Sequence, residues 1–125
     1  MAELRAWGSE LNEIVIACAI GVLTASGVWL VLRPRTFQVA IGLSLCSYAV
    51  NLFIFAVGGL RVGAAPIVAA SGAANPAAFA DPLPQALALT AIVIGFATTA
   101  LLLVVLLAAR GLTGTDHVDG QEPER

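Results

Sequence analysis

The stretch that decides the fold is residues 81–110, DPLPQALALTAIVIGFATTALLLVVLLAAR. After Asp81 no charge occurs until Arg110, and an α-helix needs only about 20 apolar residues to cross roughly 30 Å of hydrocarbon. Two earlier stretches, 14–32 and 36–60, are also free of charge. The sequence therefore predicts an all-α membrane protein with three transmembrane helices, at about 14–32, 37–60 and 85–109.

The composition of the whole chain is that of a membrane protein. Of its 125 residues, 59% are hydrophobic and only 11% are charged, whereas a soluble domain carries roughly a quarter charged residues. The formal net charge of −2 is too small to predict a nucleic-acid partner. The short alternating segments of a membrane β-barrel are missing from the sequence. We therefore predict one three-helix membrane domain, residues 1–125, in the lipid bilayer.

The connection between the first two predicted helices is only Arg33-Pro34-Arg35. So short a link predicts an antiparallel helical hairpin, and its two arginines mark the cytoplasmic side by the positive-inside rule. The N-terminal segment 1–13 and the loop 61–84 are then external, and the polar tail 111–125 is cytoplasmic. Because segment 1–13 is net acidic, it lacks the basic start of a signal peptide, and we expect the first helix to stay in the protein.

The uncharged segment 62–80, VGAAPIVAASGAANPAAFA, is interrupted by proline, glycine and asparagine. These residues favour a loop on the membrane surface or against a neighbour over a fourth span. A re-entrant segment is the alternative interpretation.

The start of the third helix, Asp-Pro-Leu-Pro-Gln at 81–85, predicts a capped helix N-terminus. If Asp81 is the N-cap, Pro82 and Pro84 remove two of the backbone N–H groups that lack partners there. The carboxylate can accept from another, and its charge suits the positive end of the helix dipole. Capping is the favoured role of Asp81, and ion binding is the alternative.

Residues that could carry chemistry are scarce. None of the predicted helices holds the Asp, Glu, Lys or His at mid-membrane that ion and proton carriers use. No nucleophile–base pair or phosphate-binding glycine motif is found, so neither an enzyme nor a cofactor is predicted. Asp116, His117 and Asp119 fit no metal-loop spacing, and we predict no metal site and a disordered, solvated tail.

Small and weakly polar residues recur at helical spacing on all three helices. Such rows let membrane helices approach closely, and Ser, Thr and Asn can hydrogen-bond across the contact. The rows predict packing within the unit or against other subunits, and Asn51 is the costliest of them to leave in lipid. The rows are Ala17, Gly21 and Ala25 on the first helix; Ala40, Ser44, Ser47 and Asn51 on the second; and Ala91, Gly95 and Thr99 on the third.

Three segments carry a family resemblance: DPLPQALALTAIVIGFA at 81–97, IGLSLCSYAVNLFIF at 41–55 and GGLRVGAAPI at 58–67. They resemble the C subunit of Mrp-type multisubunit Na⁺/H⁺ antiporters, which is called PhaC in the potassium-linked relatives. That family is in turn similar to NuoK, a three-helix subunit of respiratory complex I. The resemblance covers about residues 14–110.

NuoK uses two membrane glutamates for proton coupling, and the resemblance shows what replaces them here. Matching IGL at 41–43 places the first at Ser44, and matching Ile94-Gly95 places the second at Ala91. Both carboxylates are absent, as the resemblance to the C subunit implies. A polar path in this chain, or a polar contact with another subunit, would have to use other residues, and the candidates are Ser44, Ser47, Asn51, Thr90, Asp81 and Gln85.

The resemblance implies a place in a larger machine of the bacterial cell (inner) membrane. Its partners would be the large A and D subunits and the small B, F and G subunits, and the complex would export Na⁺ in exchange for protons. We predict a non-catalytic but required multi-pass subunit. Two rivals are a NuoK-like subunit of a respiratory or hydrogenase complex and a self-assembling structural membrane protein.

Overall fold

Three long α-helices make up the fold of the chain. A computed structural model describes residues 1–61, 63–66, 75, 77 and 79–122. The helices are α1 (Ala2–Val31), α2 (Thr36–Val57) and α3 (Pro82–Thr113), and each is long and apolar enough to cross a membrane. The predicted all-α membrane fold is confirmed. Most of the loop interpretation for 62–80 lies outside the described residues, and the sidedness of the termini stays a prediction.

Helices α1 and α3 extend well beyond their predicted spans, whereas α2 ends at Val57, three residues before the predicted end at 60, because the Gly58-Gly59 pair follows it. Helix α1 begins at Ala2, well before the uncharged run, because segment 2–13 holds mainly good helix formers such as Ala, Glu, Leu and Arg. At 1.5 Å per residue its 30 residues measure about 45 Å, more than the roughly 30 Å hydrocarbon core. Helix α3 runs to Thr113 and ends at Gly114, whose φ of +73° is the left-handed conformation that glycine adopts readily.

Helix α2 is the middle of the three helices. It packs against α1 on one side and α3 on the other, and α1 and α3 do not pack on each other in the described part of the chain. The residues that α2 buries are small: Ala40, Gly42 and Ala49. Large apolar side chains such as Phe53 and Phe96 are exposed, so the unit relies on lipid or neighbouring proteins to cover them.

Two glycines let α1 and α2 cross closely. A Cβ on Gly42 would lie 2.7 Å from the Gly27 carbonyl oxygen and 2.8 Å from the Val31 nitrogen. A Cβ on Gly27 would lie 2.6 Å from Cys46 Sγ. Real Cβ atoms essentially never lie so close to backbone atoms, so the crossing requires glycine at position 42.

The end of α2 also meets the start of α3. A Cβ on Gly58, the C-cap of α2, would lie 2.5 Å from Pro84 Cγ. The ring of Pro84 therefore packs directly against the backbone of Gly58, and a larger residue at position 58 would clash with this ring. This contact fixes α3 against α2 at the end of the bundle opposite to Arg33-Pro34-Arg35.

The prediction of a disordered tail is wrong for residues 114–122. The tail folds back on the connection between α1 and α2: the Thr36 amide donates to the Asp116 carbonyl oxygen (2.9 Å), and the Val118 amide donates to the Pro34 carbonyl oxygen (2.9 Å). The Thr36 hydroxyl also donates to the Asp116 carboxylate. Composition alone missed this docking because it depends on backbone groups that the short connection leaves without helical partners.

Candidate functional site

A cleft of about 210 Å³ lies between α2 and α3 in their membrane-spanning parts. It brings together residues predicted from both helices, with polar groups from α2 facing a small residue and a hydroxyl from α3. The lining residues are Ser44, Ser47, Tyr48, Asn51, Ile92, Gly95, Phe96 and Thr99.

The polar groups of α2 differ in how they are satisfied. The Ser44 hydroxyl donates to the Ala40 carbonyl oxygen of its own helix (3.0 Å), a common arrangement for membrane-helix serines. Among the side-chain hydrogen bonds of the described residues, none involves Ser47 or Asn51. Both side chains are half-buried. An amide without a hydrogen-bond partner is costly in hydrocarbon, so a polar group from outside this chain would stabilise Asn51.

The width of the cleft depends on Gly95. A Cβ at this position would lie 3.1 Å from Ser47 Oγ, so the hydroxyl approaches the α3 backbone closely. Four residues before and after it, Ala91 and Thr99 are also half-buried. The predicted row on α3 is thus the face that packs on α2.

Thr90 and Gln85, also predicted as site residues, lie outside the cleft. Thr90 is exposed, and its hydroxyl donates to the Ala86 carbonyl oxygen one turn earlier (3.1 Å). Gln85 is half-buried in the first turn of α3. A part for either residue in a polar path stays a prediction.

Asp81 is the N-cap of α3. Its carboxylate Oδ1 accepts from the Leu83 amide at 3.0 Å, with φ −69° and ψ 121°. The two prolines occupy the first turn, so the capping geometry predicted from Asp-Pro-Leu-Pro is confirmed. Asp81 is exposed at the helix end, away from the cleft, and a part in ion transport stays a prediction.

The predicted small-residue row on α1 is not the face that packs closely on α2, although Ala17 lines a groove together with Phe53 and Ala56 of α2. Ala17, Gly21 and Ala25 are all exposed, and a Cβ on Gly21 would meet nothing within 4 Å. The contact with α2 uses Gly27 instead, a residue that helical periodicity did not single out. Its partner Gly42 stands four residues before Cys46, and this small-xxx-small spacing could have identified the crossing.

Electrostatically, the cleft is uncharged, and the one titratable side chain among its lining residues is Tyr48. A shifted pKa is found instead in the tail, where the Gln121 amide and the His117 imidazole both hydrogen-bond Asp119 and lower the pKa of its carboxyl. His117 Nδ1 lies 2.7 Å from Asp119 Oδ1. No group of three metal-binding side chains occurs in the described part of the chain. The uncharged, weakly polar lining of the cleft suits polar contact or hydration.

Comparison with known proteins identifies the family to which this architecture belongs. Residues 15–122 match the family described as NADH-ubiquinone/plastoquinone oxidoreductase chain 4L. The C subunit of a probable K⁺/H⁺ antiporter of Rhizobium meliloti (strain 1021) is 67% identical over 110 residues, which is 88% of this chain and 96% of the relative. The C1 subunit of the Na⁺/H⁺ antiporter of Staphylococcus aureus (strain JH9) is 43% identical over 110 residues, 88% of this chain and 94% of that protein.

Two solved structures share the fold. A chain of the Mrp complex from Dietzia sp. DQ12-45-1b has a TM-score of 0.67 and 38% identity, over 89% of this chain and 87% of that one. A chain of the membrane-bound sulfane sulfur reductase, an archaeal respiratory membrane complex, has a TM-score of 0.71 and 35% identity, over 88% of this chain and 97% of that one. The chain therefore belongs to the family of antiporter C subunits, within the wider chain 4L family.

Proposed function

We propose that this protein is the C subunit of a multisubunit cation/H⁺ antiporter that exchanges Na⁺ or K⁺ for protons across the cell membrane. The observation that carries the proposal is the 67% identity to an antiporter C subunit over nearly the full length of both chains. The protein is required for exchange but does not itself carry the ion. Its partners are the large A and D subunits and the small B, F and G subunits.

The chemistry of the α2–α3 cleft supports a non-catalytic role. Ser44 and Ala91, which replace the glutamates of NuoK in the resemblance described above, cannot exchange a proton at neutral pH. The cleft nonetheless offers hydroxyl groups and the amide of Asn51. Its function is to supply a polar, uncharged wall, with Asn51 binding a neighbouring subunit or ordered water.

The exposed faces of the unit support assembly with other subunits. Helices α1 and α3 flank α2 without packing on each other in the described part of the chain, and the Ala17–Gly21–Ala25 row is exposed. Small residues permit the close approach of a partner helix. Helices in a membrane associate mainly through such packing and through interhelical hydrogen bonds. We assign this row to contact with another subunit.

A cation-exchange assay tests the proposal. Everted membrane vesicles would be prepared from a host without its own antiporters, carrying the complete gene set or the same set without this chain. We expect added Na⁺ or K⁺ to dissipate the respiration-driven pH gradient only in vesicles that carry the complete gene set, and a pH-sensitive dye measures this. Adding back this chain restores exchange, and full exchange without it would contradict a required role. Comparing the two cations identifies the one transported.

A second candidate function is that of a small membrane subunit in a respiratory complex. The TM-score of 0.71 to a chain of the sulfane sulfur reductase complex favours it. The proteins recovered with the native chain distinguish the two: soluble redox subunits favour the respiratory complex, and large antiporter subunits alone favour the antiporter.

A further inference from the structure

An open cavity of about 900 Å³ lies at the end of the bundle where α1 begins and α2 ends. Two arginines that are far apart in the sequence line it, Arg5 from the first turns of α1 and Arg61 from the segment after α2. Ser9 and Asn12 line it as well, and the lining holds no acidic residue among the described ones. This cavity is separate from the α2–α3 cleft.

Two of the three acidic residues in the same helical segment lie on the opposite side of α1, and none of the three lines the cavity. Arg5, Ser9 and Asn12 are spaced i, i+4 and i+7, which places them on one face of α1. At about 100° per residue, Glu3 lies about 160° and Glu10 about 140° from Arg5 around the helix. Glu13, by contrast, lies about 80° from Arg5 and lines a neighbouring groove with Ile16 and Leu60. Neither arginine forms an ion pair within the described part of the chain. Among the described residues that line the cavity, the charged ones are thus the two arginines, which make it positively charged.

The donors in the cavity suit an oxyanion. A guanidinium is a planar fork of N–H donors that matches phosphate oxygens in pairs. Arg61 uses one donor on the Ala77 carbonyl oxygen, which orients the group, and its side chain makes no other hydrogen bond within the described part of the chain. Space for a ligand exists beside Gly8 and Gly63, because a Cβ on either would meet nothing within 4 Å.

The level of the cavity in the membrane indicates which anion reaches it. Glu13 is the last charged residue before the uncharged run in α1, and Arg61 is the first after the run in α2. Asn12 and Arg61 thus lie where the hydrocarbon ends and the headgroup region, several Å thick, begins. Arg5 lies about 10 Å further along the axis, and its long side chain can reach back towards this level.

We propose that this cavity binds a phosphate group, supplied in the membrane by the headgroup of an anionic phospholipid. Arg5 and Arg61 hold the phosphate oxygens, and the Asn12 amide contributes a further hydrogen bond; the Ser9 hydroxyl donates to the Ala6 carbonyl oxygen within α1. The proposal rests on the membrane-spanning fold alone, so it stands or falls independently of the antiporter function.

Native mass spectrometry of the purified full chain in neutral detergent tests the site, with phosphatidylglycerol and phosphatidylcholine as probes. We expect phosphatidylglycerol to be retained more strongly. A basic residue near an anionic lipid contributes about fivefold in affinity, so the Arg5→Gln/Arg61→Gln variant should lose on the order of twentyfold. Arg35→Gln, at the opposite end of the bundle, is the matched control and should retain the lipid. Equal retention of both lipids, or no loss in the double variant, would overturn the proposal.

A second pair of variants guards against loss of folding as the explanation. Gly8→Leu places a bulky side chain in the cavity beside Arg5, whereas Gly8→Ala adds only a methyl group, and both fit on the helix because a Cβ there would meet nothing within 4 Å. We expect only Gly8→Leu to lose phosphatidylglycerol while both keep their helical circular dichroism, and equal retention in the two would contradict the site. An excess of inorganic phosphate distinguishes the sources: displacement of the lipid with a phosphate adduct identifies free phosphate, and no displacement identifies the headgroup. Either result supports the phosphate site.

Discussion

Ser47 Oγ in α2 lies 3.1 Å from the point where a Cβ on Gly95 in α3 would stand. This close approach sets the spacing of the two helices along the cleft that also holds Asn51. A hydroxyl of the polar stripe on α2 is thus also part of the packing. The size of residue 95 and the polarity of residue 47 should therefore affect both stability and function.

The first prediction concerns the cleft. Gly95→Ala requires Ser47 to move by a few tenths of an ångström, so we expect the free energy of unfolding to fall by less than about 1 kcal/mol. Gly95→Leu should lower it by about 1–3 kcal/mol through overpacking. Thermal unfolding in detergent measures both. Combining Gly95→Ala with Ser47→Ala should recover the loss because the second change removes the hydroxyl. Gly111→Ala on the same helix is the control, since its Cβ would meet nothing within 4 Å; an equal loss there would refute the explanation.

The second prediction concerns the crossing of α1 and α2. Gly42→Ala places a Cβ 2.7 Å from the Gly27 carbonyl oxygen, so the backbones must separate, at a cost of about 1–3 kcal/mol or more. Gly21→Ala is the matched control, because that position is open. Unfolding of the isolated chain should separate the two variants clearly. If Gly21→Ala lowers recovery of the complex without destabilising the chain, the exposed row on α1 contacts another subunit.

The third prediction separates the two roles considered for Asp81. Asp81→Ala removes the acceptor for the Leu83 amide and should cost about 0.5–2 kcal/mol. Asp81→Ser keeps a capping oxygen and removes the charge, so it should restore stability and assembly. The two variants are compared by thermal unfolding and by cation exchange in vesicles. Normal assembly with lost exchange in Asp81→Ser would show that the charge serves the ion path.

The fourth prediction concerns the docked tail. Thr36→Val removes the hydroxyl that donates to the Asp116 carboxylate, a bond worth about 1.5–3 kcal/mol because one partner is charged. We expect faster protease cleavage within residues 114–122 and a longer distance between spin labels placed on the tail and on the 33–35 connection. Thr98→Val is the control, since Thr98 bonds only within its own helix. Unchanged cleavage in Thr36→Val would contradict the docking.

The fifth prediction is the pH dependence of the same tail. Hydrogen bonds from the Gln121 amide and from His117 lower the pKa of Asp119 below its ordinary value of 3.8. A lowered pKa stabilises the folded tail above the ordinary value, and this contribution is lost as the pH falls through the lowered one. The contribution of the Asp119 carboxyl to docking should be constant from about pH 5 to 8 and should decrease in strong acid. The same spin labels measure this docking. Asp119→Asn should dock less well and show a smaller acid response, since the Asp116 carboxylate remains; an unaltered acid response would refute this assignment.

The fold could be predicted because the hydrophobic pattern of a membrane chain is dominated by one requirement. Uncharged runs had to be helices to satisfy their backbone in lipid, and Asp81 followed by two prolines marked a capped start. The pattern could not show where the helices would end outside the membrane. There, water satisfies backbone groups equally well, so α1 could continue back to Ala2 through residues with good helix propensity.

The cleft residues could be predicted on α2 and α3, whereas the contact face of α1 could not. Ser44, Ser47 and Asn51 lie on one stripe because helical periodicity places them there, and Gly95 and Thr99 face them. On α1 the same reasoning chose Gly21, yet the contact with α2 uses Gly27. Small residues permit close packing on any face of a membrane helix, so periodicity alone could not tell an internal face from an external one.

Purification of the native complex through a tag after Arg125 tests the central claim most directly. The operon would be expressed in its native host, and the tagged chain would be captured from the membrane in mild detergent. The accompanying proteins would then be identified by mass spectrometry. We predict recovery with the two large antiporter subunits and the small ones in fixed ratio. Recovery of this chain alone as a homo-oligomer, with none of those subunits, would contradict its assignment to a multisubunit cation/H⁺ antiporter.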